Sequence, residues 1–478
     1  MSALRPAVGA AVEIALPLAV VATTASLVFL GVLGLDACIW ITLILLCAML
    51  FLSWKRFDGG RHPCFLFLGM LLIFQGGRLV GYAAGLIDNP MQIVVSVATP
   101  LSVSTVAAET TLLIIALSAI LIYAPCRLGA PSSGFWAGDA RQWLPGLYAL
   151  VLLTLPFALY KNVMYLTYIR AHGGYLAVFT DNAGVLASAG WVARTLSTIN
   201  ETAILTAYIM EARRGRRNLI LALFFLMAAL DLLIGFRGKF FAEAISIWYI
   251  NNLRTGRRFR LIPLTILAAV VSVAAVLIAG LRENQSVAML SPLGFLVTQG
   301  VSMNVTEAAV QYHHLFSRFG WDYLWNGLLN GVTPIAAGPG KLWTSDLTVF
   351  LNPVAFEHGF GTASAYLAEL YLFAGLPAVV VGSLGIGYCL NLLHRASARL
   401  AGALLMAFVL PSVIYLPRLE LLNPVAIAIK SLISLGVVVV FVIGYRTIMG
   451  FLNLGAAGGA QPLANEHGDS GAADSSTR

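Results

Sequence analysis

The sequence predicts an all-α, polytopic membrane protein: a transmembrane helical bundle of about 12 spans with a long periplasmic loop before the last three. Three observations predict it. The 478 residues are 59% hydrophobic and only 10% charged, where soluble domains carry about 25% charged residues. Apolar runs of 18 to 25 residues recur along the chain, each long enough to cross a hydrocarbon core about 30 Å thick. The basic residues fall in short clusters between those runs, not along one amphipathic face, which argues against nucleic acid as the partner of a chain with net charge +8. A β-barrel is excluded because runs such as Leu261 to Leu281 are apolar all round and do not alternate.

The first six spans are expected near residues 9–33, 38–54, 64–86, 106–124, 144–164 and 190–210. The next six are expected near 219–236, 238–253, 261–281, 363–388, 400–417 and 424–445. The first is too long for a signal-peptide core and reads as a retained helix. With the N-terminus inside, every second loop is basic: Lys55, Arg56 and Arg61; Arg127 and Arg141; Arg213 to Arg217; Arg254 to Arg260; Arg395 and Arg399; then Arg446. The positive-inside rule therefore places both termini of this multi-pass protein in the cytoplasm. The domain division is 1–450 as transmembrane domain, including periplasmic loops 165–190 and 282–362, with 451–478 as a disordered cytoplasmic tail, small and polar in composition.

Cys38, Cys47, Cys64, Cys126 and Cys389 lie in or beside spans and form no disulfide framework or zinc spacing. The outer loops hold no DxD-like acidic cluster, and the chain has no phosphate-binding GxxxxGK[ST] loop. A nucleotide-sugar donor, a metal and a cofactor are all disfavoured.

Ionisable groups inside spans are costly and tend to face a cavity or one another. Gln75, Arg78 and Tyr82 share a helix face, as do Arg194, Thr198 and Glu201, and Thr362, Tyr366 and Glu369. DLLIGFRGKFF sets Asp231, Arg237 and Lys239 around an outer turn; Arg418 and Glu420 follow the eleventh span, and Lys430 lies within the twelfth. Pairs such as Arg194 with Glu201, or Asp231 with Arg237, read equally well as structural ion pairs between helices. Trp321 and Trp325 read as interfacial anchors or as sugar platforms, and Val301 to Phe316 as amphipathic helices lying on or dipping into the membrane surface. Arginine nevertheless offers a rigid fork that matches phosphate oxygens. Several of them on the outer side suit a lipid-linked diphosphate.

The layout of spans, the Arg-Gly turn in GFRGKFF and the segment GTASAYLAELYLFAG after the long loop resemble the bacterial O-antigen and exopolysaccharide repeat-unit polymerases (Wzy type), which share their outline with the O-antigen ligases. The resemblance implies a metal-independent glycosyltransferase that polymerises undecaprenyl-diphosphate-linked oligosaccharide repeat units at the periplasmic face. Its partners would be that lipid-linked glycan, membrane lipid and a chain-length regulator protein. Family members rely on arginines in two outer loops, matched here by Arg170 and Arg282; the family motif of Arg followed after ten residues by Gly is approximated by Arg282 and Gly294. On this reading Arg194, Arg237 and Arg282, with Arg78, Arg170 and Arg418, hold the donor diphosphate. Glu357, His358 or Glu369 supplies the base for the acceptor hydroxyl. An O-antigen ligase, or a flippase or transporter of lipid-linked oligosaccharide, would also need cations in a membrane cavity.

Overall fold

A computed structural model of the chain describes residues 4–93, 103–129, 134–136, 138, 140–172, 181–234, 237–258, 292–333, 340–357 and 361–458. Among these residues the regular structure is helical throughout, with no strand. The long helices of the first half are α1 (Leu4–Phe29), α2 (Leu35–Arg56), α3 (Pro63–Ala83), α4 (Thr105–Leu128) and α5 (Leu144–Ala171). A short α6 (Asn182–Ser188) leads into α7 (Gly190–Met210), α8 (Arg214–Ile234) and α9 (Arg237–Thr255). The outer segment folds into α10 (Pro292–Gln299), α11 (Val301–Gln311), α12 (Gly320–Val332), α13 (Trp343–Leu351) and α14 (Pro353–Glu357). The chain closes with α15 (Tyr366–Ala396), α16 (Leu400–Tyr415) and α17 (Asn423–Gly458).

Eleven of the twelve expected spans coincide with these helices, and the ninth, 261–281, lies outside the described residues, as does the tail after 458. Among the described residues nine helices are long and apolar enough to cross a membrane. The two that fall short, α7 and α9, carry their polar residues inward. Ser197, Asn200, Thr202 and Thr206 of α7, and Glu243, Ser246 and Asn252 of α9, are all buried. Polar groups at membrane depth must find partners or line a cavity, and both apply here.

Two apolar cores organise the bundle. One joins α3, α5, α7, α8, α9, α16 and α17 through residues such as Phe74, Leu147, Ile204, Tyr249, Leu410 and Val438. The other joins α1 to α4 and α15 through Met49, Phe67, Leu112, Tyr123 and Tyr366. Interhelical hydrogen bonds fix the rotation of the pairs. Asn200 Nδ2 of α7 donates to Val151 O and Thr154 Oγ1 of α5, both at 2.9 Å. Ser118 of α4 meets Tyr366 at 2.7 Å and Ser383 at 2.8 Å, on either side of a break in α15.

That break falls at Ala374 and Gly375, where Gly375 has φ +64° and ψ −149°. Only glycine enters that region freely, and Pro377 follows. The first half, from Tyr366, packs against α11 and α12 rather than continuing outward.

The basic loops meet at one end of the bundle. Arg258 pairs with Asp58 at 2.6 Å, Trp136 N donates to Ser397 O at 2.8 Å, and Arg446 Nη2 donates to Gln142 at 3.2 Å. At the other end α10 to α14 cover the helices. Here α11 differs from a helix resting on the membrane surface: Ser302 to Ala309 are all buried, and α11 packs against α3, α4 and α15. Trp321 and Trp325 of α12 are exposed, while Trp343 is buried in the apolar cluster beneath them with Phe316 and Tyr323.

Candidate functional site

Between α7, α9, α16 and α17 lies a cavity of about 440 Å³. Thr198 and Glu201 line it from α7, Lys239 and Glu243 from α9, Tyr415 from α16 and Lys430 from α17. Asn423 and Leu419, at the end of the bundle that α10 to α14 cover, mark its outer limit. Lys430 lies seven residues into α17 from Asn423, a depth of about 10 Å at 1.5 Å per residue. The close approach of α9 to α16 depends on Gly238, since a Cβ there would sit 2.5 Å from the Tyr415 hydroxyl oxygen. This accounts physically for the glycine of the GFRGKFF turn.

The inner wall is an ionic network drawn from four helices. Lys239 Nζ of α9 donates to Asp231 Oδ2 of α8 at 3.0 Å and to Glu201 Oε2 of α7 at 3.1 Å. It also lies 3.5 Å from Glu243 Oε1, one turn along its own helix. Lys161 of α5 reaches Asp231 Oδ1 at 3.9 Å. Three carboxylates thus surround two ammonium groups, so a charge removed from water at this depth is compensated by its neighbours. Exposure separates the acids. The Asp231 and Glu243 side chains are 12% and 9% exposed, but that of Glu201 is 42% exposed and opens into the cavity.

The arginines expected at the site divide into groups. Arg194 lies two turns outward of Glu201 on the same face of α7, beside the Tyr165 ring, and its Nε is buried without a hydrogen-bond partner among the described residues. Arg237 is the first residue of α9, next to the cavity-lining Gly238. Arg418 adjoins the cavity-lining Leu419, but it donates to Gln299 and lies over the Phe74 ring at 5.6 Å. Arg78 is buried under the 89–92 segment, donating to Pro90 O at 2.8 Å and to Asn89 O and Gln92 O at 3.2 and 3.3 Å. Arg170 is exposed in the last turn of α5. Arg282 lies outside the described residues.

Of the expected bases, His358 also lies outside the described residues, and Glu357 is exposed at the end of α14. Glu369 is buried, and both its oxygens are engaged: Oε1 accepts from Ser364 Oγ at 3.0 Å and Oε2 from Leu421 N at 2.8 Å. It anchors the turn between α16 and α17. Gln75 acts beside it, donating to Pro417 O at 3.0 Å and accepting from Thr306 at 3.2 Å. The adjoining Glu420 has its carboxyl pushed up by burial.

Lys161 and Glu243 belong to the network although no expectation from sequence included them. Glu243 carried a signal, being four residues from Lys239 on one helix face. Lys161 was masked by its place near the end of an otherwise apolar span. A second cluster, His62, Cys64 and Cys126, lies at the opposite end of the bundle. His62 Nδ1 accepts from Cys64 N at 3.2 Å as the cap of α3. That leaves the ring proton on Nε2. Neither nitrogen of that tautomer is free to ligate a metal without losing the cap, so the cluster reads as packing.

The comparisons with known proteins bear on the whole bundle. No curated protein and no solved structure matches the chain. The family described as O-antigen polysaccharide polymerase Wzy matches residues 13–450, from α1 to near the C-terminal end of the last helix and across every residue that lines the cavity. The chain therefore belongs to the O-antigen polysaccharide polymerase Wzy family of polytopic inner-membrane glycosyltransferases, which polymerise the repeat units of a lipid-linked glycan.

Proposed function

We propose that the chain joins repeat units at the periplasmic face of the inner membrane, taking the growing glycan from undecaprenyl diphosphate without a metal ion. The observation that carries this reading is the cavity at membrane depth, with Lys430 on one wall making no ion pair among the described residues and with Arg194 and the start of α9 near its outer end. A permanently charged guanidinium with a buried, unsatisfied Nε suits an incoming phosphate oxygen. Cations aimed at the leaving diphosphate stabilise the charge that develops as its bond to the sugar breaks. Arg194, Arg237 and Lys430 are assigned to the diphosphate, with Arg282 as a further member from the outer loop. Arg418, Arg78 and Arg170 stand further from it, the first two as supports of the surrounding turns.

The gathering of the basic loops at one end supports an orientation with both termini in the cytoplasm and the cavity opening outward. A separate chain-length regulator is the protein partner on this reading, on the grounds of the resemblance alone. Glu369 serves to hold the turn that carries Arg418, and Glu357 and His358 remain proposals for the outer loop.

The test is to delete the gene in its host and separate the surface polysaccharide by size, with complementation by wild type, Arg194→Ala, Arg237→Ala and Lys430→Ala. The expected result is a ladder that collapses to one repeat on deletion, is restored by wild type, and is not restored by the variants at equal protein level. Wild-type chain lengths in all three variants would overturn the assignment. Attached glycan lost altogether, with lipid-linked polymer accumulating, would show a ligase instead.

A further inference from the structure

The reading above leaves the acceptor side of the reaction without a base inside the cavity. Three carboxylates meet there, and their surroundings differ. Asp231 is shared between Lys239 and Lys161, and Glu243 is packed behind Lys239. Glu201 and Glu243 both line the cavity, but the Glu201 side chain is 42% exposed against 9% for Glu243, and it is bonded to Lys239 through Oε2. Its Oε1 makes no hydrogen bond among the described residues, and the exposure of the side chain makes it accessible from the cavity. Thr198 and Ser246 line the same cavity and offer hydroxyls for orienting such a group. Lys430 stands on α17 and Glu201 on α7, so the cavity presents a cation and a carboxylate from two of its walls.

We propose that Glu201 is the general base that accepts the proton of the acceptor hydroxyl, with Lys239 as the residue that positions it. The inference rests on the donor assignment above. In the step, the nonreducing-end hydroxyl of the incoming repeat unit gives its proton to Glu201 Oε1. Its oxygen forms a bond to the anomeric carbon of the donor sugar. The bond from that carbon to the diphosphate oxygen breaks, and its electron pair leaves with undecaprenyl diphosphate, whose charge the cations meet. The proton passes from Glu201 to the released diphosphate or to water. A single displacement of this kind inverts the anomeric configuration. The bond from Lys239 fixes the rotamer of Glu201, and Lys239 is itself held in place by Asp231 and Glu243.

A purely structural Glu201 would tolerate glutamine, which keeps the shape and one acceptor oxygen for Lys239. A base would not, and losing one costs about 10²- to 10⁴-fold in rate. The experiment uses the purified full chain in lipid nanodiscs with undecaprenyl-diphosphate-linked repeat units, comparing wild type, Glu201→Gln and Glu201→Ala. Expected are a loss of at least about a hundredfold in turnover for both variants, unchanged retention of labelled lipid-linked donor, and recovery of Glu201→Ala on adding formate, a small carboxylate that fits the vacated space. Turnover by Glu201→Gln within threefold of wild type would overturn the inference. Loss without rescue by formate would overturn it too and assign Glu201 to the ionic network alone. If wild type fails to turn over these units, the donor assignment fails and this inference with it; if wild type works and Glu201→Gln matches it, this inference alone fails.

Discussion

Glu307 shows how far one side chain can depart from the behaviour its type suggests. It lies in α11, outside the membrane-spanning helices, and has no solvent exposure. Burial pushes its carboxyl up to about 8 from 4.5, against the opposing pull of the Asn304 hydrogen bond and the Arg78 charge. The folded protein therefore holds a proton that the unfolded chain releases across that window. Stability present below the unfolded value is lost as pH rises through the folded one, at about 1.4 kcal/mol per unit. The expected outcome is a melting temperature that falls between pH 5 and pH 8 in wild type and falls less in Glu307→Gln. Parallel pH dependences would count against the assignment. A second prediction concerns Gly238. An alanine there overlaps the Tyr415 hydroxyl and ring, so the ring must swing and displace the cavity wall. Displacements of about 1 Å cost on the order of a hundredfold in rate, and polymer formation by Gly238→Ala should drop by that order while the protein still reaches the membrane.

At the scale of elements, the helices are held by a few polar contacts between apolar faces. The bonds from Asn200 to α5 replace water that the bilayer does not supply, and removing such a bond costs about 0.6 to 1.7 kcal/mol. Asn200→Leu should therefore melt a few degrees lower with its helix content intact. A larger change, or none, would mean that α5 and α7 are registered by other contacts. The break in α15 is a stronger constraint. Gly375 holds a conformation that costs other residues about 1 to 3 kcal/mol. Gly375→Ala should lower stability by that amount or straighten the helix, pulling Glu369 away from Leu421 N. Limited proteolysis near Leu419 would report the second outcome. Such breaks are legible only in part: Gly375 and Pro377 mark the place in the sequence, but the inward packing of the first half against α11 and α12 is set by contacts from distant parts of the chain.

The whole molecule has a basic end and an end covered by short helices. Alkaline phosphatase fused at Asp181 or Asp322 should be active in cells, and fusions at Asp58 or Arg399 should not; the reverse pattern would overturn the proposed orientation. Span lengths, the spacing of the basic clusters and the helical class were all set by the sequence alone. A bilayer of fixed thickness admits few other ways to bury so much apolar chain. The 3.6-residue period also showed that Arg194, Thr198 and Glu201 share a face. Periodicity gives a face but not the neighbour it meets. Only the packing of α5, α7, α8 and α9 brought Lys161 and Glu243 to Asp231, Lys239 and Glu201, and only the turn after α16 showed that Glu369 holds a backbone N–H. Those partners lie up to about 80 residues apart along the chain, and which charge meets which depends on helix rotations that no local pattern records.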